Sequence, residues 1–165
     1  MIILNNEDYK NWILELKSKI KNVQIKAAIT VNRELLMFYW ELGADIINKQ
    51  ENHKWGNNFI KQLSKDLISE FPEMKGFSTR NLEAIRQWRK FWDNLISQQV
   101  VAKLENNKKE EIITRLFQIP WGHNITIISK CKNYNEAIYY VENTVQNNWS
   151  RSVLVHQIEN GLYHI

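Results

Sequence analysis

The feature that most constrains the fold of this chain is a run of apolar residues with helical spacing, which extends from about Val23 to Lys49. Apolar positions recur there at steps of three and four residues, which is typical of an amphipathic α-helix. Residues 35–40 are apolar on every side, and this predicts neighbours on several faces and a central position in the domain. The stripe consists of Ile25, Ala28, Asn32, Leu35, Tyr39, Leu42 and Ile46.

A second pattern of the same kind precedes it, between Asp8 and Ile20. Its apolar residues face one side and its lysines the other, so it also predicts an amphipathic helix. The sequence leaves open whether the two patterns form one helix or two. The apolar residues of this segment are Tyr9, Trp12, Ile13, Leu16 and Ile20.

Further helices are predicted by their start and stop signals. Asn57 or Asn58 can cap a helix that ends at Phe71, because a residue before proline is pushed out of the α region. Ser78 is a suitable N-cap for the next helix, and residues 98–110 are predicted as a loop. The remaining predicted helices cover 110–118, 122–131, 134–147 and 150–160, the last one stopped by Gly161.

The composition supports an all-α fold. The chain of 165 residues has only two prolines and five glycines, fewer turn residues than many short strands would need. Its length suits one helical domain, with a division into two subdomains near 98–110 as the alternative. Five residues of the two most apolar helices are predicted to meet in one core: Leu36, Tyr39, Trp40, Trp88 and Trp92.

Several classes of site are excluded or disfavoured. The single cysteine, Cys131, excludes an intrachain disulfide and a multi-cysteine zinc site. No two of the four histidines are three or four residues apart, and no glycine-rich phosphate loop, G-x-S-x-G or H-E-x-x-H motif occurs. Glu34 and Glu41 share one helix face, but we expect them in a buried structural network rather than at a metal. We therefore predict no catalytic residues, no metal and no cofactor.

The chain is also predicted to be a cytoplasmic protein without membrane contact. Its longest apolar run, residues 35–40, is far shorter than the roughly 20 residues that cross a bilayer. Four polar residues, Asn5 to Asp8, interrupt the apolar N-terminus too early for a signal peptide.

Residues 57–95 have the pattern of a helix-turn-helix, whose second helix enters the DNA major groove by its N-terminal residues. Arginine can pair with guanine and asparagine with adenine. The alternative is a solvated helix face in a bundle. The candidate DNA-contacting residues of this helix are Ser78, Thr79, Arg80, Asn81, Arg86 and Lys90.

A second polar helix start has the same sequence pattern. In both Phe77-Ser78 and Trp149-Ser150 an aromatic residue precedes a serine that begins a helix with an arginine in its first turn. Ser150 and Arg151 are therefore candidates for binding a phosphate, and ordinary N-capping is the alternative for Ser150. The net charge of +4 permits a polyanionic partner without requiring one.

A set of motifs lies in order along the chain, at residues 31–36, 39–43, 55–56, 63–67, 71–72, 76–82, 119–123 and 148–151. This ordered set resembles the N-terminal domain of the YhcG-like family of bacterial proteins. The resemblance implies an all-helical module, of helix-turn-helix or winged-helix type, that binds DNA and precedes a PD-(D/E)xK nuclease-like domain that this chain does not contain.

These observations lead to one hypothesis and one alternative. The hypothesis is a non-catalytic DNA-binding or targeting module, with double-stranded DNA and a nuclease domain in cis or in trans as partners. The alternative is a protein-interaction or dimerisation module, and a homodimer is compatible with both.

Overall fold

The computed structural model describes residues 6–53, 56, 58–98 and 106–165. The elements follow the chain in the order α1 (Glu7–His53), α2 (Asn58–Glu70), α3 (Thr79–Gln98), α4 (Asn106–Leu116), α5 (Trp121–Lys130), α6 (Tyr134–Asn147), α7 (Arg151–Glu159) and a final 3-10 turn (Leu162–His164).

The all-α prediction is confirmed, since the described residues form helices and no strand. The predicted helix starts at Ser78 and Ser150 are confirmed by their hydrogen bonds: each serine Oγ accepts from the backbone N–H three residues later, at 3.1 and 3.2 Å. Gly161 ends the last helix in the left-handed conformation, with φ +67°, as predicted. Of the predicted loop at 98–110, residues 99–105 lie outside the described part, and α4 already begins at Asn106.

The first two helical patterns form one continuous helix. At 47 residues, α1 is about 70 Å long. Only its second half is covered: the buried residues are Leu36, Tyr39, Trp40, Gly43 and Ile46. Leu36, Tyr39 and Trp40 have the predicted neighbours, whereas Met37 and Phe38, on the other side of the helix, keep 40% and 42% of their surface exposed.

α1 packs chiefly against α3, and a glycine permits the close approach. A Cβ atom on Gly43 would lie 2.7 Å from the Cβ of Arg89 and 3.0 Å from the backbone oxygen of Ile85. Such distances leave no space for a side chain, so the two backbones meet at this point more closely than alanine would allow.

The predicted core is confirmed, and it extends into the C-terminal helices. Leu36, Tyr39, Trp40, Trp88 and Trp92 are all buried in one cluster. The rings of Trp40 and Trp88 meet edge to face at 5.2 Å between centroids, and Trp88 meets Trp121 of α5 in the same way at 4.9 Å. These edge-to-face contacts join α1 and α3 to α5.

Two asparagine side chains hold the short connection between α4 and α5. Asn32 of α1 donates its amide N–H groups to the carbonyls of Phe117 and Ile119, at 3.2 and 3.1 Å. Asn124 of α5 donates to the carbonyl of Leu116 at 3.0 Å. Asn32 interrupts the apolar stripe because it satisfies carbonyls that a leucine would leave unpaired.

The helix-turn-helix prediction is not confirmed by this geometry. Residues 71–78 form an eight-residue connection between α2 and α3, whereas the turn of that motif has about 3–4 residues. The described residues contain no strand that could form a wing. The same part of the chain has no helix with both the length and the apolar character required to span a membrane.

Candidate nucleic-acid interface

The start of α3 presents an exposed serine and an exposed arginine. Ser78 caps the helix, and Arg80 in the first turn is exposed. The side chain of Arg80 makes no hydrogen bond or ion pair with any residue that the structure describes. Thr79, between them, is half-buried. Arg80 is thus a free cation at the positive end of a helix dipole.

Asn81 plays a different part from the one predicted. Its amide nitrogen donates to the carbonyl of Gly76 at 2.7 Å, and its Oδ1 accepts the indole N–H of Trp121 at 2.9 Å. A further hydrogen bond joins it to Tyr39, whose pKa is raised by burial and partly lowered again by this bond. With its amide engaged at both ends, Asn81 has little capacity left for a base edge, and we leave it out of the contact set.

The contact with Trp121 brings the N-terminus of α5 against the N-terminus of α3. The start of α7 also lies close to the start of α5, since a Cβ on Gly122 would be 3.6 Å from the Cδ of Arg151. The buried ring of His123 fixes this arrangement, because its Nε2 bonds the carbonyl of Trp149 at 2.8 Å, just before the Ser150 cap.

Three helix N-termini therefore lie at one end of the molecule. We call this surface the three-helix end; it consists of Ser78, Thr79, Arg80, Trp121, Gly122, Ser150 and Arg151. The first backbone N–H groups of each helix have no intrahelical acceptor, and aligned peptide dipoles place partial positive charge there. Such a surface favours anions, and phosphate oxygens in particular.

The remaining predicted cations lie further along α3. Arg86 pairs with Glu83 at 3.0 Å, so its charge is largely neutralised. Like Arg80, Lys90 is exposed and makes no ion pair with the described residues. Arg80, Gln87 and Lys90 face outward on one side of α3, and about 15 Å of helix separates the two cations.

A groove that the sequence did not predict borders the three-helix end. It has a volume of about 400 Å³ and passes between the α4–α5 connection and the end of α6. Pro120, Trp149 and Ser150 form its rim beside the helix starts. Its two walls come from segments about 25 residues apart, so no local sequence motif predicts the groove. The lining residues are Gln118, Ile119, Pro120, His123, Thr144, Val145, Asn148, Trp149 and Ser150.

The acidic residues do not form a centre in the part of the chain that the structure describes. No group of three histidine, cysteine or acidic side chains is placed there to hold a metal ion. Glu34 and Glu41 are both exposed, so the expectation that they belong to a buried network is wrong. They lie on the face of α1 turned away from α3, because the apolar stripe that packs on α3 occupies the other side of the helix.

Cys131, at the end of α5, is buried, and its thiol is expected to be unreactive. Burial raises the pKa of its thiol to about 12, and the nearby carboxylate of Glu136 contributes in the same direction. A thiol with so high a pKa is a poor nucleophile at neutral pH, since the thiolate is the reactive form.

Comparison with known proteins gives one match. The family model described as the DUF1016 N-terminal domain matches residues 15–165. No curated protein and no solved structure matches the chain.

Proposed function

This chain belongs to the family of DUF1016 N-terminal domains, and we propose that it is a non-catalytic DNA-binding module that contacts double-stranded DNA through its three-helix end. The resemblance to the YhcG-like N-terminal domain rests on motifs that include residues 76–82, 119–123 and 148–151. These three segments supply the starts of α3, α5 and α7.

The observation that carries the proposal is the convergence of these three helix starts. One helix N-terminus is a common feature of any helical protein, but three at one end combine their free N–H groups and dipoles over one surface. Arg80 and Arg151 are exposed at this surface and add two full charges. DNA presents a regular array of phosphates, which such a surface can meet at several points at once.

The roles of the individual residues follow from their surroundings. Ser78, Thr79, Ser150 and the first-turn amides would contact phosphates and fix the position of the duplex. Arg80, at the start of α3, is the residue best placed to reach a base edge. Lys90 would contact a phosphate further along the DNA groove that Arg80 enters. Arg86 would contribute once Glu83 released it, so we expect a smaller effect from Arg86.

The proposal is tested by titrating labelled double-stranded DNA with the purified chain and measuring fluorescence anisotropy at several salt concentrations. Contact with about four phosphates predicts a slope of roughly −3 to −4 in a plot of log affinity against log salt. The Arg80→Ala/Lys90→Ala/Arg151→Ala variant should bind more weakly at low salt and show a slope shallower by about 3.

A matched control removes the same charge elsewhere. Lys61, Lys65 and Lys132 are exposed on α2 and at the far end of α5, so their triple alanine variant should keep most of the affinity and the slope. Equal losses in the two triple variants would show that only net charge matters. A loss produced instead by changing Lys17, Lys19 and Lys21 would locate binding on α1 and contradict the proposed surface.

The proposal that the module is non-catalytic has its own test. Glu34 and Glu41 share a face, but one helical heptad separates them by about 10 Å, too far to hold one metal ion or a pair about 4 Å apart. With Mg²⁺ or Mn²⁺ and single- or double-stranded DNA, we expect no cuts above buffer. Metal-dependent cleavage that disappears in Glu34→Gln or Glu41→Gln would make the chain a nuclease.

The wider setting belongs to the same proposal. A nuclease domain, in cis or in trans, would use this module to reach DNA in the cytoplasm. The alternative, a protein-interaction or dimerisation module, is favoured by a different observation, namely the largely exposed first half of α1.

A further inference from the structure

The first half of α1 is largely exposed: within residues 7–31, only Tyr9, Ile13 and Leu16 are half-buried. Every side chain from Lys17 to Val31 is exposed, and the side chain of Asn32 hydrogen-bonds the connection between α4 and α5. We call residues 7–31 the arm. Large apolar side chains with at least half of their surface exposed are spread along it: Trp12, Leu14, Ile20, Val23, Ile25, Ile29 and Val31.

We propose that the arm pairs with the arm of a second copy as a short parallel two-stranded coiled coil. This inference goes beyond DNA binding and does not depend on it. It rests on the spacing of the apolar residues, the residue type at each seam position, the position of the charges and the side of α1 that the seam occupies.

The arm carries a heptad pattern: seven of its positions alternate in steps of four and three, which is the spacing of a coiled-coil seam. Other apolar residues lie outside this seam, namely Trp12, Leu14, Ile25, Ile29 and Val31. In heptad notation, Ile13, Ile20 and Ala27 occupy a positions. The d positions are Tyr9, Leu16, Val23 and Thr30.

The residue types favour two strands. Isoleucine at a with leucine at d is the combination typical of parallel dimers, and Ile13, Leu16 and Ile20 supply it in the centre of the arm. Beyond Thr30, the next a positions are Glu34 and Glu41, both exposed. Two copies would bring like charges together there, so the pairing should end where the folded body begins, that is, at Asn32, whose side chain contacts the connection between α4 and α5.

The flanking charges select the parallel direction. The e positions hold Lys10, Lys17, Gln24 and Val31, and the g positions hold Trp12, Lys19 and Lys26. In a parallel pair, Lys19 of one copy faces Gln24 of the other, and Trp12 faces Lys17, a favourable contact between a cation and an aromatic ring. An antiparallel pair centred on the arm would instead bring Lys17 to Lys17 and Lys19 to Lys19.

The folded body leaves the seam accessible. At 100° per residue, the seam lies about 180° around α1 from the face that Leu36, Tyr39 and Trp40 bury against the body. Two bodies can therefore lie on the outer sides of a paired arm. The seam is about 33 Å long and one helix diameter wide, below the roughly 800 Å² per partner of a standard interface, so we expect a Kd on the order of 1–100 µM.

The test is sedimentation velocity of the full chain over a range of concentrations. The unsubstituted chain should shift from monomer to dimer as its concentration rises through the expected Kd. Ile20→Glu, at the centre of the seam, should weaken the dimer at least tenfold. Ile25→Glu is the matched control, since Ile25 lies on the same arm, outside the seam, with 57% of its surface exposed against 50% for Ile20.

The direction is tested with Ala27→Cys. In the parallel pair the two new thiols meet at one a position, and mild oxidation should give a disulfide-linked dimer. In the antiparallel pair centred on the arm they would be about 27 Å apart and would not react. Cys131 is buried, and the unsubstituted chain, treated in the same way, controls for it.

Three results would overturn the proposal. One is a chain that stays monomeric well above the expected Kd, and another is an equal loss of dimer in Ile20→Glu and Ile25→Glu. The third is a monomer whose arm binds anionic phospholipid vesicles, with Ile20→Glu abolishing that binding. DNA affinity at concentrations well below the dimer Kd should be the same in Ile20→Glu as in the unsubstituted chain, so the two proposals can fail separately.

Discussion

The indole N–H of Trp121, in the first turn of α5, donates a 2.9 Å hydrogen bond to the side-chain oxygen of Asn81, in the first turn of α3. Forty residues of sequence separate the two. This bond sets the start of one helix against the start of the other, and the three-helix end depends on it.

Asn81→Ala should therefore destabilise the fold. The change removes the acceptor of Trp121 and the donor to Gly76, and leaving such half-buried groups unpaired costs about 1–3 kcal/mol. Urea unfolding followed by tryptophan fluorescence measures the loss. Trp121→Phe in the Asn81→Ala background should cost less than it does alone, because the shared bond is already gone. Asn94→Ala, exposed on the same helix, should stay within about 0.5 kcal/mol of the unsubstituted chain.

Gly43→Ala should also be destabilising, although alanine favours a helix. The added methyl group would overlap Arg89 and the backbone of Ile85 and force α1 away from α3, at a cost of about 1–3 kcal/mol. Gly122→Ala is the control, because the nearest atom to its added Cβ lies 3.6 Å away, an ordinary contact. Thermal melting should show a lower Tm for the first variant and an equal or higher Tm for the second. The same change in both would mean that the close contact at Gly43 is unimportant.

Trp40→Ala should cost about 3–5 kcal/mol, a large part of the stability of a domain of this size. Besides Trp88, the ring packs on Phe117, and the guanidinium of Arg89 lies 4.2 Å above its centroid. Trp12→Ala on the arm provides the comparison, since 54% of Trp12 is exposed. Unfolding should be measured at a concentration below the dimer Kd. A Trp40→Ala protein as stable as Trp12→Ala would show that Trp40 is peripheral to the core.

Stability should fall in alkaline solution. The pKa of Cys131 is raised from 9.0 to about 12 in the folded chain, so the folded state retains a proton that the unfolded state releases above pH 9. The stabilisation is complete below pH 9 and is lost as the pH rises towards 12. Burial raises the pKa of Tyr39, Tyr134 and Tyr140 as well, which acts in the same direction. Urea midpoints between pH 7 and 11 test this.

The same shift predicts an unreactive thiol. At pH 8 the thiolate fraction of Cys131 should be about a thousandfold lower in the folded chain than in the unfolded one. An aromatic disulfide reagent should therefore react quickly in urea and very slowly without it. Rapid reaction of the folded chain would show that the end of α5 opens readily.

The sequence by itself determined the local features of this protein. Helix starts at Ser78 and Ser150 could be predicted because capping joins atoms only three residues apart. The all-α fold followed from apolar periodicity and the shortage of turn residues. The core tryptophans followed from their size and their place on apolar faces.

Only the tertiary structure decided which faces are covered and which polar groups are free. Periodicity identifies the apolar side of α1, but it does not say whether another helix lies against it; Ile25 and Ile46 belong to one predicted stripe, yet one is exposed and the other buried. Asn81 and Arg80 are neighbours, and the sequence predicted the same DNA-contacting role for both. Their roles differ because Trp121 lies within hydrogen-bond distance of Asn81 alone, and that distance depends on how helices distant in sequence pack together.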